Sequence, residues 1–241
     1  MEAGQLLALA GSGYLFGSIS FARLVARLVA PTTDLTRSET TVDGETYVTD
    51  SVSATAVREK LGMRWGILTG LLDMAKAAVP ILVVGAIAPG SPSQLVVAAA
   101  VIVGHDFPVW HRFRGGRGET VLVGSLLVLD PVGLALMTFL GAAIGFAAGS
   151  LLLLRFSGFA LMAPWLWIVR DDPAATLYLL FALSLLALSF RSELTYYRAV
   201  AGRATNEEAA EFEFGSGHRL GRAIDRWSLP ALLARTRARS R

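Results

Sequence analysis

The amino-acid sequence predicts an all-α, polytopic membrane protein with about seven transmembrane helices, its N-terminus outside and its C-terminus inside. Of its 241 residues, 54% are hydrophobic and only 17% are charged. A soluble domain of this composition could not cover its surface with polar groups. The apolar residues also occur in long runs separated by shorter polar segments, as expected for successive spans. Because the sequence has no cysteine, disulfides, thiolate metal sites and cysteine nucleophiles are excluded.

Hydropathy defines the first three spans. Residues 1–29 are apolar and lack the positively charged start of a cleaved signal peptide, so we expect a retained span. The second span, 65–88, contains Asp73 and Lys76 at the i, i+3 spacing of one helix face. Ionisable groups within a span face protein or a polar cavity, so this pair is either structural or contacts a ligand. The third span, 93–104, returns to the inner side.

The apolar tract 119–164 is too long for one crossing, which takes about 20 residues. Asp130 and Pro131 provide the break within it. The last four spans are then a short one before Asp130, one ending at Arg155, one over 156–169 and one over 174–190.

Basic residues determine the predicted orientation, because cytoplasmic loops of membrane proteins are enriched in lysine and arginine. The outer loops contain only Arg170 as a basic residue, and the C-terminal tail contains ten arginines. The inner loops contain Arg37, Arg58, Lys60, Arg64, Arg112, Arg114, Arg117 and Arg155. We therefore predict a seven-span domain over 1–190 with cytoplasmic loops at 31–64 and 105–118, followed by a cytoplasmic, arginine-rich tail over 191–241.

The first cytoplasmic loop has two parts. Residues 31–50 are rich in threonine and acidic residues and are expected to be flexible or hairpin-like. After them, Thr49, Ser53 and Thr55 supply small hydroxyl groups, and Arg58 precedes the next span. These groups are candidates for binding a polar ligand. The alternative is that the hydroxyls cap a helix N-terminus.

The second cytoplasmic loop is the one place where this apolar chain gathers histidines, arginines and closely spaced glycines. Its central residues are Arg114, Gly115, Gly116, Arg117 and Gly118. Glycines leave backbone N–H groups accessible to an anion, and guanidinium groups fit phosphate oxygens. We therefore predict a site for a phosphorylated ligand. The alternative is a loop whose arginines only follow membrane topology.

Four stretches of the sequence form recognisable motifs. They are Gly104-His105-x-Phe107-Pro108 with Phe113–Gly118, the first-span segment 13–21, Asp73-x-x-Lys76 with Pro80, and Ala54-Thr55 with Leu61-Gly62. All four resemble motifs of the bacterial acyl-phosphate glycerol-3-phosphate acyltransferases, the PlsY family, in which the two arginines of the central motif are usually lysines. The resemblance covers roughly residues 10–203 and implies a seven-span architecture.

The resemblance implies a membrane acyltransferase that moves a fatty acyl group from acyl phosphate to glycerol 3-phosphate, giving lysophosphatidic acid. The implied phosphate-binding residues are Arg114, Gly115, Gly116, Arg117 and Gly118. The implied substrate-binding residues are Thr49, Ser53, Thr55, Arg58, Lys76, Arg191 and Glu193. His105 is the candidate catalytic base or else a structural hydrogen-bond donor. The expected partners are the two substrates and the lipid bilayer. We expect no nucleic acid, because the sequence contains no recognition motif for it, and no metal or cofactor, because an acyl phosphate is already activated.

The first and third motifs depart from the family pattern. Ala56 replaces an asparagine, Glu59 aligns with an arginine, and Phe190 and Glu193 replace a histidine and an asparagine. Two other functions therefore remain as alternatives. One is a non-catalytic relative that binds acyl phosphate or phospholipid. The other is a transporter or channel for a small anion, suggested by the charged pair in the second span.

Overall fold

The computed structural model describes residues 2–36, 38–42, 45–49, 51–89, 92–191 and 218–239. The chain forms two compact units, Met1–Pro131 with Pro173–Tyr196, and Val132–Asp172 with Tyr197–Arg241. The apolar segments are helical, which confirms the predicted all-α class, and the strands of the described residues form a single hairpin. The predicted domain bounds, 1–190 and 191–241, remain a prediction.

The first predicted span consists of two helices, α1 (Ala3–Gly17) and α2 (Phe21–Val29). The break between them contains Ser18 and Ser20, whose side chains bind the backbone: Ser18 Oγ donates to Tyr14 O at 2.8 Å, and Ser20 Oγ accepts from the Arg23 N–H at 3.5 Å. Serine favours helix ends for this reason, because its hydroxyl competes for backbone partners.

The loop over 31–64 contains a hairpin and a short helix. Strands β1 (Ser38–Val42) and β2 (Glu45–Thr49) pair antiparallel, which agrees with the hairpin-like of the two forms expected for 31–50. Helix α3 (Ala54–Leu61) follows, and Ser53 caps it by accepting the Ala56 N–H at 3.3 Å. Ser53 is therefore the N-cap of α3, and its part in ligand binding stays a prediction.

The described residues of the first unit form four further α-helices: α4 (Met63–Ile87), α5 (Ser93–Asp106), α6 (Glu119–Leu129) and α9 (Pro173–Ser189). Small residues allow close contact between them. A Cβ on Gly17 would overlap Val101 O, and one on Gly104 would overlap Tyr14 O, so α1 and α5 pack backbone against backbone. A Cβ on Gly124 of α6 would likewise overlap the backbone of α4.

The second unit contains α7 (Pro131–Ala148) and α8 (Leu151–Pro164), which continues as a π-helical turn over Trp165–Val169. The turn between α7 and α8 is formed by Gly149, whose φ of 71° favours glycine, and by Ser150, which caps α8. The predicted end of the fifth span at Arg155 is therefore wrong, because Arg155 lies within α8. Among the described residues, this unit also contains α10 (His218–Trp227) and α11 (Leu229–Arg239).

Five of the described helical segments are long and apolar enough to cross a membrane. They are Ala3–Val29, Met63–Ile87, Ser93–His111, Pro131–Ala148 and Leu151–Val169. Two shorter apolar helices, Glu119–Leu129 and Pro173–Ser189, match the fourth and seventh predicted spans. The membrane class is thus confirmed, whereas the count of seven spans and their orientation remain predictions.

Candidate functional site

The central loop, residues 104–118, begins where α5 ends against α1. Tyr14 Oη donates to Phe107 O at 2.9 Å, and Ser18 Oγ accepts the Val109 N–H at 3.4 Å. Both partners come from α1 or its C-cap, where the sequence has its first-span signature. Residues far apart in the sequence thus attach the start of the loop to α1, directly after the end of α5, which carries His105.

Arg112 and Phe113 reverse the chain after a short 3₁₀ turn. Their φ angles are 54° and 61°, a left-handed conformation that is uncommon for residues other than glycine. The Phe113 N–H donates to Pro108 O and the Arg114 N–H to His111 O, each at 3.1 Å. This reversal directs the following glycines back toward α5, while the Arg114 side chain remains exposed.

The glycines of the loop pack directly against the end of α5. The Gly116 N–H donates to His105 O at 3.1 Å. A Cβ on Gly115 would overlap His105 O, and one on Gly116 would overlap His105 Nε2. Gly118 has a φ of 75°, and a Cβ there would lie 2.9 Å from Asp106 Oδ1. The loop therefore needs glycine for its own packing, whether or not an anion also approaches it.

A buried polar cluster lies beneath the loop and consists of Asp73, Lys76 and His105. Lys76 Nζ lies 3.2 Å from Asp73 Oδ1 and 2.8 Å from His105 Nδ1, and it donates to Ile19 O at 2.9 Å. All three side chains of the cluster are buried. The ammonium group thus forms one ion pair and two hydrogen bonds, all within the protein, which favours the structural alternative for the charged pair.

The same contacts bear on the two roles that the sequence left open for His105. An ammonium group only donates, so Nδ1 accepts from Lys76, and the neutral ring carries its proton on Nε2. Nε2 is the atom that lies against Gly116. His105 thus supports the loop by the packing of its ring against Gly116 and by its carbonyl, which accepts the Gly116 N–H, and this favours the structural role over that of a base.

Arg117 connects three elements of the first unit. Its Nη2 donates to Ser53 Oγ at 3.3 Å, and its guanidinium lies 5.1 Å from the centre of the Phe190 ring. Beside it, the Val52 N–H donates to Gly115 O at 3.1 Å. Arg117 is only 8% exposed. The structure thus brings the central motif together with the start of α3 and the end of α9, where the first and third motifs lie.

Comparison with known proteins identifies the family. A sequence profile described as glycerol-3-phosphate acyltransferase matches residues 7–200. The chain belongs to this family.

Curated relatives and solved structures agree with the profile. The chain is 40% identical over 127 residues to a glycerol-3-phosphate acyltransferase of Anaeromyxobacter sp. (strain K), spanning 51% of this chain and 58% of the relative. It is 34% identical over 169 residues to one of Methylococcus capsulatus, spanning 69% and 80%. PlsY, an integral membrane glycerol 3-phosphate acyltransferase solved in its glycerol 3-phosphate form, has a TM-score of 0.66 and 25% identity, covering 83% of this chain and 94% of PlsY. The lysophosphatidic acid form of PlsY gives a TM-score of 0.65. The resemblance inferred from the motifs is thereby confirmed.

The remaining site residues predicted from this family resemblance lie at separate positions. Thr55 is half-buried in the first turn of α3, and Arg58 lies beside Glu59, with 3.8 Å between Nη2 and Oε1. Arg191 is exposed directly after α9. Thr49 ends β2. Two residues of the sequence prediction, Glu193 of the substrate set and Arg37 of the topology set, lie outside the described residues.

Four residues that support the loop had no place in the site predicted from the sequence: Tyr14, Arg23, Asp106 and Ser189. Arg23 Nη2 donates to Arg114 O at 2.7 Å, and Asp106 is buried with Ser189 Oγ 3.5 Å from its Oδ2. Tyr14 was noted only as part of the first-span signature. Asp106 could have been identified from the sequence, because it is a carboxylate directly after His105 at the end of a span. The partners of Tyr14 and Arg23 depend on helix packing and gave no comparable signal.

Proposed function

We propose that this chain moves a fatty acyl group from acyl phosphate to glycerol 3-phosphate, releasing lysophosphatidic acid and phosphate at the cytoplasmic face of the cell membrane. Its family membership over residues 7–200 and its likeness to PlsY support this activity. The observation that carries the proposal is the position of Arg117, which joins Ser53 and Phe190 beside the glycine loop. A buried guanidinium at the meeting point of three motifs suits a phosphorylated substrate.

The reaction needs little covalent chemistry from the protein. The acceptor hydroxyl oxygen bonds to the acyl carbon, and the bond between that carbon and the phosphate oxygen breaks. The hydroxyl proton passes to the leaving phosphate. The protein must hold donor and acceptor together and stabilise the negative charge on the phosphate. Positively charged donors held in a fixed position meet both requirements.

We assign the donor phosphate to Arg114 and Arg117. Arg114 is exposed on the loop, and Arg117 is held in place by Ser53. The Gly116 N–H already donates to His105 O, so Gly116 shapes the loop, while the neighbouring amides of Gly115 and Gly118 belong to the proposed anion site. In this proposal His105 positions the loop, and the phosphate itself accepts the proton.

We assign the acceptor, glycerol 3-phosphate, to the residues around Arg117. Ser53 and Thr55 offer hydroxyl groups at the start of α3. Arg58 and Arg191 are the cations proposed for the phosphate of glycerol 3-phosphate, and Thr49 and Glu193 belong to the same proposed set. Lys76 contributes through His105, because its ammonium group contacts Asp73, His105 and Ile19 O.

The decisive experiment is acyl transfer by the purified chain in lipid vesicles, with palmitoyl phosphate as donor and radiolabelled glycerol 3-phosphate as acceptor. We expect labelled lysophosphatidic acid from the wild type and at least about a tenfold lower rate from Arg117→Gln, equivalent to about 1.4 kcal/mol of transition-state stabilisation. Arg64→Gln is the matched control, since Arg64 is an exposed arginine at the start of α4. It should leave the rate unchanged. A wild type that binds palmitoyl phosphate but transfers nothing would contradict the proposal.

One observation favours a second function, that of a non-catalytic relative that binds acyl phosphate. Phe190 stands where the family has a histidine, and its ring lies against the Arg117 guanidinium. An apolar ring there offers no hydrogen bond to an acceptor. The same vesicle assay separates the two functions, because this relative would bind palmitoyl phosphate without turnover. The transporter hypothesis loses its basis, because Asp73 and Lys76 pair with each other and with His105.

A further inference from the structure

Helices α10 and α11 lie beyond the residues that match the family profile, 7–200. One side of α10 is docked within the second unit. Ile224 is fully buried against Leu151, and Phe146, Leu154 and Leu220 pack around them. The residue that joins α10 to α11, Ser228, is also buried. This contact fixes α10 at the N-terminal end of α8.

That attachment point lies at a membrane surface. Both α7 and α8 are candidate spans, and Gly149 and Ser150 form the turn between them. A turn between two successive spans lies at the edge of the bilayer. Because Ser228 Oγ would lie 3.0 Å from a Cβ on Gly149, the junction of α10 and α11 lies at this turn. The predicted topology places both the turn and the C-terminal tail on the cytoplasmic side.

The outward side of α10 is basic. Arg219, Arg222 and Arg226 have i, i+3, i+7 spacing and are all exposed, as is Asp225 between them. The i, i+3, i+7 spacing places these arginines on one helix face. Over 218–239 the sequence has six arginines and one acidic residue, a formal excess of five positive charges.

Large apolar side chains are exposed beside this basic face. Trp227 is 55% exposed, Leu229 58% and Leu233 58%, and Leu232 is exposed as well. The Arg226 guanidinium lies 5.4 Å from the centre of the Trp227 ring. Tryptophan and leucine next to arginine are typical of helices that lie in a membrane interface, where the apolar groups enter the lipid and the arginines contact phosphate groups.

We propose that α10 and α11 form a second, membrane-surface binding site that is specific for anionic phospholipid. The arginine face contacts lipid phosphates, and Trp227, Leu229, Leu232 and Leu233 enter the lipid next to the α7–α8 turn. An acidic soluble protein would match the arginines, but it would give no reason for four exposed apolar side chains at a membrane surface. The bilayer satisfies both features, since anionic headgroups attract basic segments at its surface.

The absence of cysteine from the sequence permits a direct test in the full chain. Leu232→Cys carries a single spin label in vesicles of phosphatidylcholine with about 30 mol % phosphatidylglycerol, or of phosphatidylcholine alone. Collisions of the label with oxygen, which concentrates in the bilayer, are compared with collisions with a water-soluble nickel chelate. We expect the ratio of oxygen to nickel collisions to be at least about threefold higher with phosphatidylglycerol, and to fall in about 0.5 M salt.

Two variants on α10 separate charge from helix structure. Replacing Arg219, Arg222 and Arg226 by glutamine should abolish the dependence on phosphatidylglycerol, because these side chains supply the contact to phosphate. Asp225→Asn, on the same exposed face, should preserve or strengthen the dependence, because it removes a negative charge. A label that remains in water with both lipids would overturn the proposal, and so would an arginine variant that retains the full dependence. Retention of the label in water is also the result expected for a soluble acidic partner.

Discussion

The central loop and the residues that we call its rim, Ser53 and Phe190, are held in different ways. The loop is fixed by its backbone: Gly116 donates to His105 O, and Gly115 and Gly116 have no space for a side chain. At the rim, Ser53 and Phe190 contact Arg117 through their side chains. One departure from the family pattern, Phe190, lies on the rim, whereas the loop retains every glycine of the motif. A backbone contact restricts which residue can occupy a position more tightly than a side-chain contact does.

This difference has a testable consequence. Changes under or within the loop should lower stability and acyl transfer together, since the loop cannot move without its supports. Changes at the rim should alter transfer while stability remains nearly constant. Three substitutions examine this contrast, from the cluster under the loop outward to the rim.

Lys76→Met should have the largest effect. It leaves the Asp73 carboxylate buried without its cationic partner and removes the contact to His105 Nδ1. Breaking a buried ion pair by removing one partner costs about 3–5 kcal/mol. We expect a lower midpoint of thermal unfolding in detergent and little residual transfer.

A double variant controls for the loss of the lysine itself. Asp73→Asn combined with Lys76→Met removes the buried charge on both sides, and it should regain much of the lost stability. Equal unfolding midpoints for wild type and Lys76→Met would show that the ion pair does not support the loop. Restored stability without restored transfer would show that His105 needs the lysine for its orientation.

The second substitution, Gly115→Ala, acts on the loop itself. A Cβ at this position would overlap His105 O, a backbone atom that cannot rotate away. Overpacking of this kind costs about 1–3 kcal/mol. We expect a lower unfolding midpoint and a transfer rate reduced at least about tenfold.

Gly70→Ala is the matched control for this substitution. Gly70 lies within α4, and a Cβ there would lie 3.8 Å from the nearest side-chain atom, of Thr120, which is an ordinary contact. Alanine in a helix interior is favoured over glycine by about 1 kcal/mol. This variant should be as stable as wild type or more stable, with unchanged transfer. If Gly115→Ala behaves in the same way, the loop is not fixed by its backbone.

The sequence predicted the fold well where hydropathy alone decides it. Long apolar runs identified the membrane class and five of the seven apolar segments with nearly correct ends. The exception was the break between α7 and α8, which we predicted at Arg155. A charged residue is not a reliable loop marker within an apolar tract, since a long side chain can reach the membrane surface from within a helix. Gly149 and Ser150 were the better signal, because a left-handed glycine followed by a capping serine ends one helix and starts the next.

The site was predictable in its motifs but not in its contacts. The spacing of Asp73 and Lys76 indicated a shared helix face, yet the contact between Lys76 and His105 depends on how α4 packs against α5. Similarly, the sequence explained the loop glycines by the approach of an anion, whereas their first neighbour is His105. Both facts arise from packing between helices, which sequence spacing within one helix does not encode.

The third substitution, Phe190→His at the rim, should have the smallest effect on stability. The Phe190 ring lies 5.1 Å from the Arg117 guanidinium, and such a contact contributes about 0.5–1 kcal/mol. Because histidine also keeps a ring at this buried position, we expect the unfolding midpoint to change only slightly. A neutral imidazole at this position can donate or accept a hydrogen bond next to the proposed acceptor site, and one such bond contributes about 1 kcal/mol, or roughly fivefold in rate.

We therefore expect Phe190→His to raise transfer to glycerol 3-phosphate severalfold at nearly constant stability, measured in the vesicle assay and by thermal unfolding. Phe190→Leu is the control, since it also removes the ring from Arg117 but supplies no polar atom. If leucine raises transfer as much as histidine does, then release of Arg117 is the cause and the imidazole does not contact the acceptor. If histidine lowers the unfolding midpoint as far as Gly115→Ala does, the rim is as rigidly held as the loop, and the contrast between the two regions is wrong. A gain specific to histidine would instead show that Phe190 limits the reaction of this chain, and that Arg117 tolerates a change of neighbour because Ser53 still holds it.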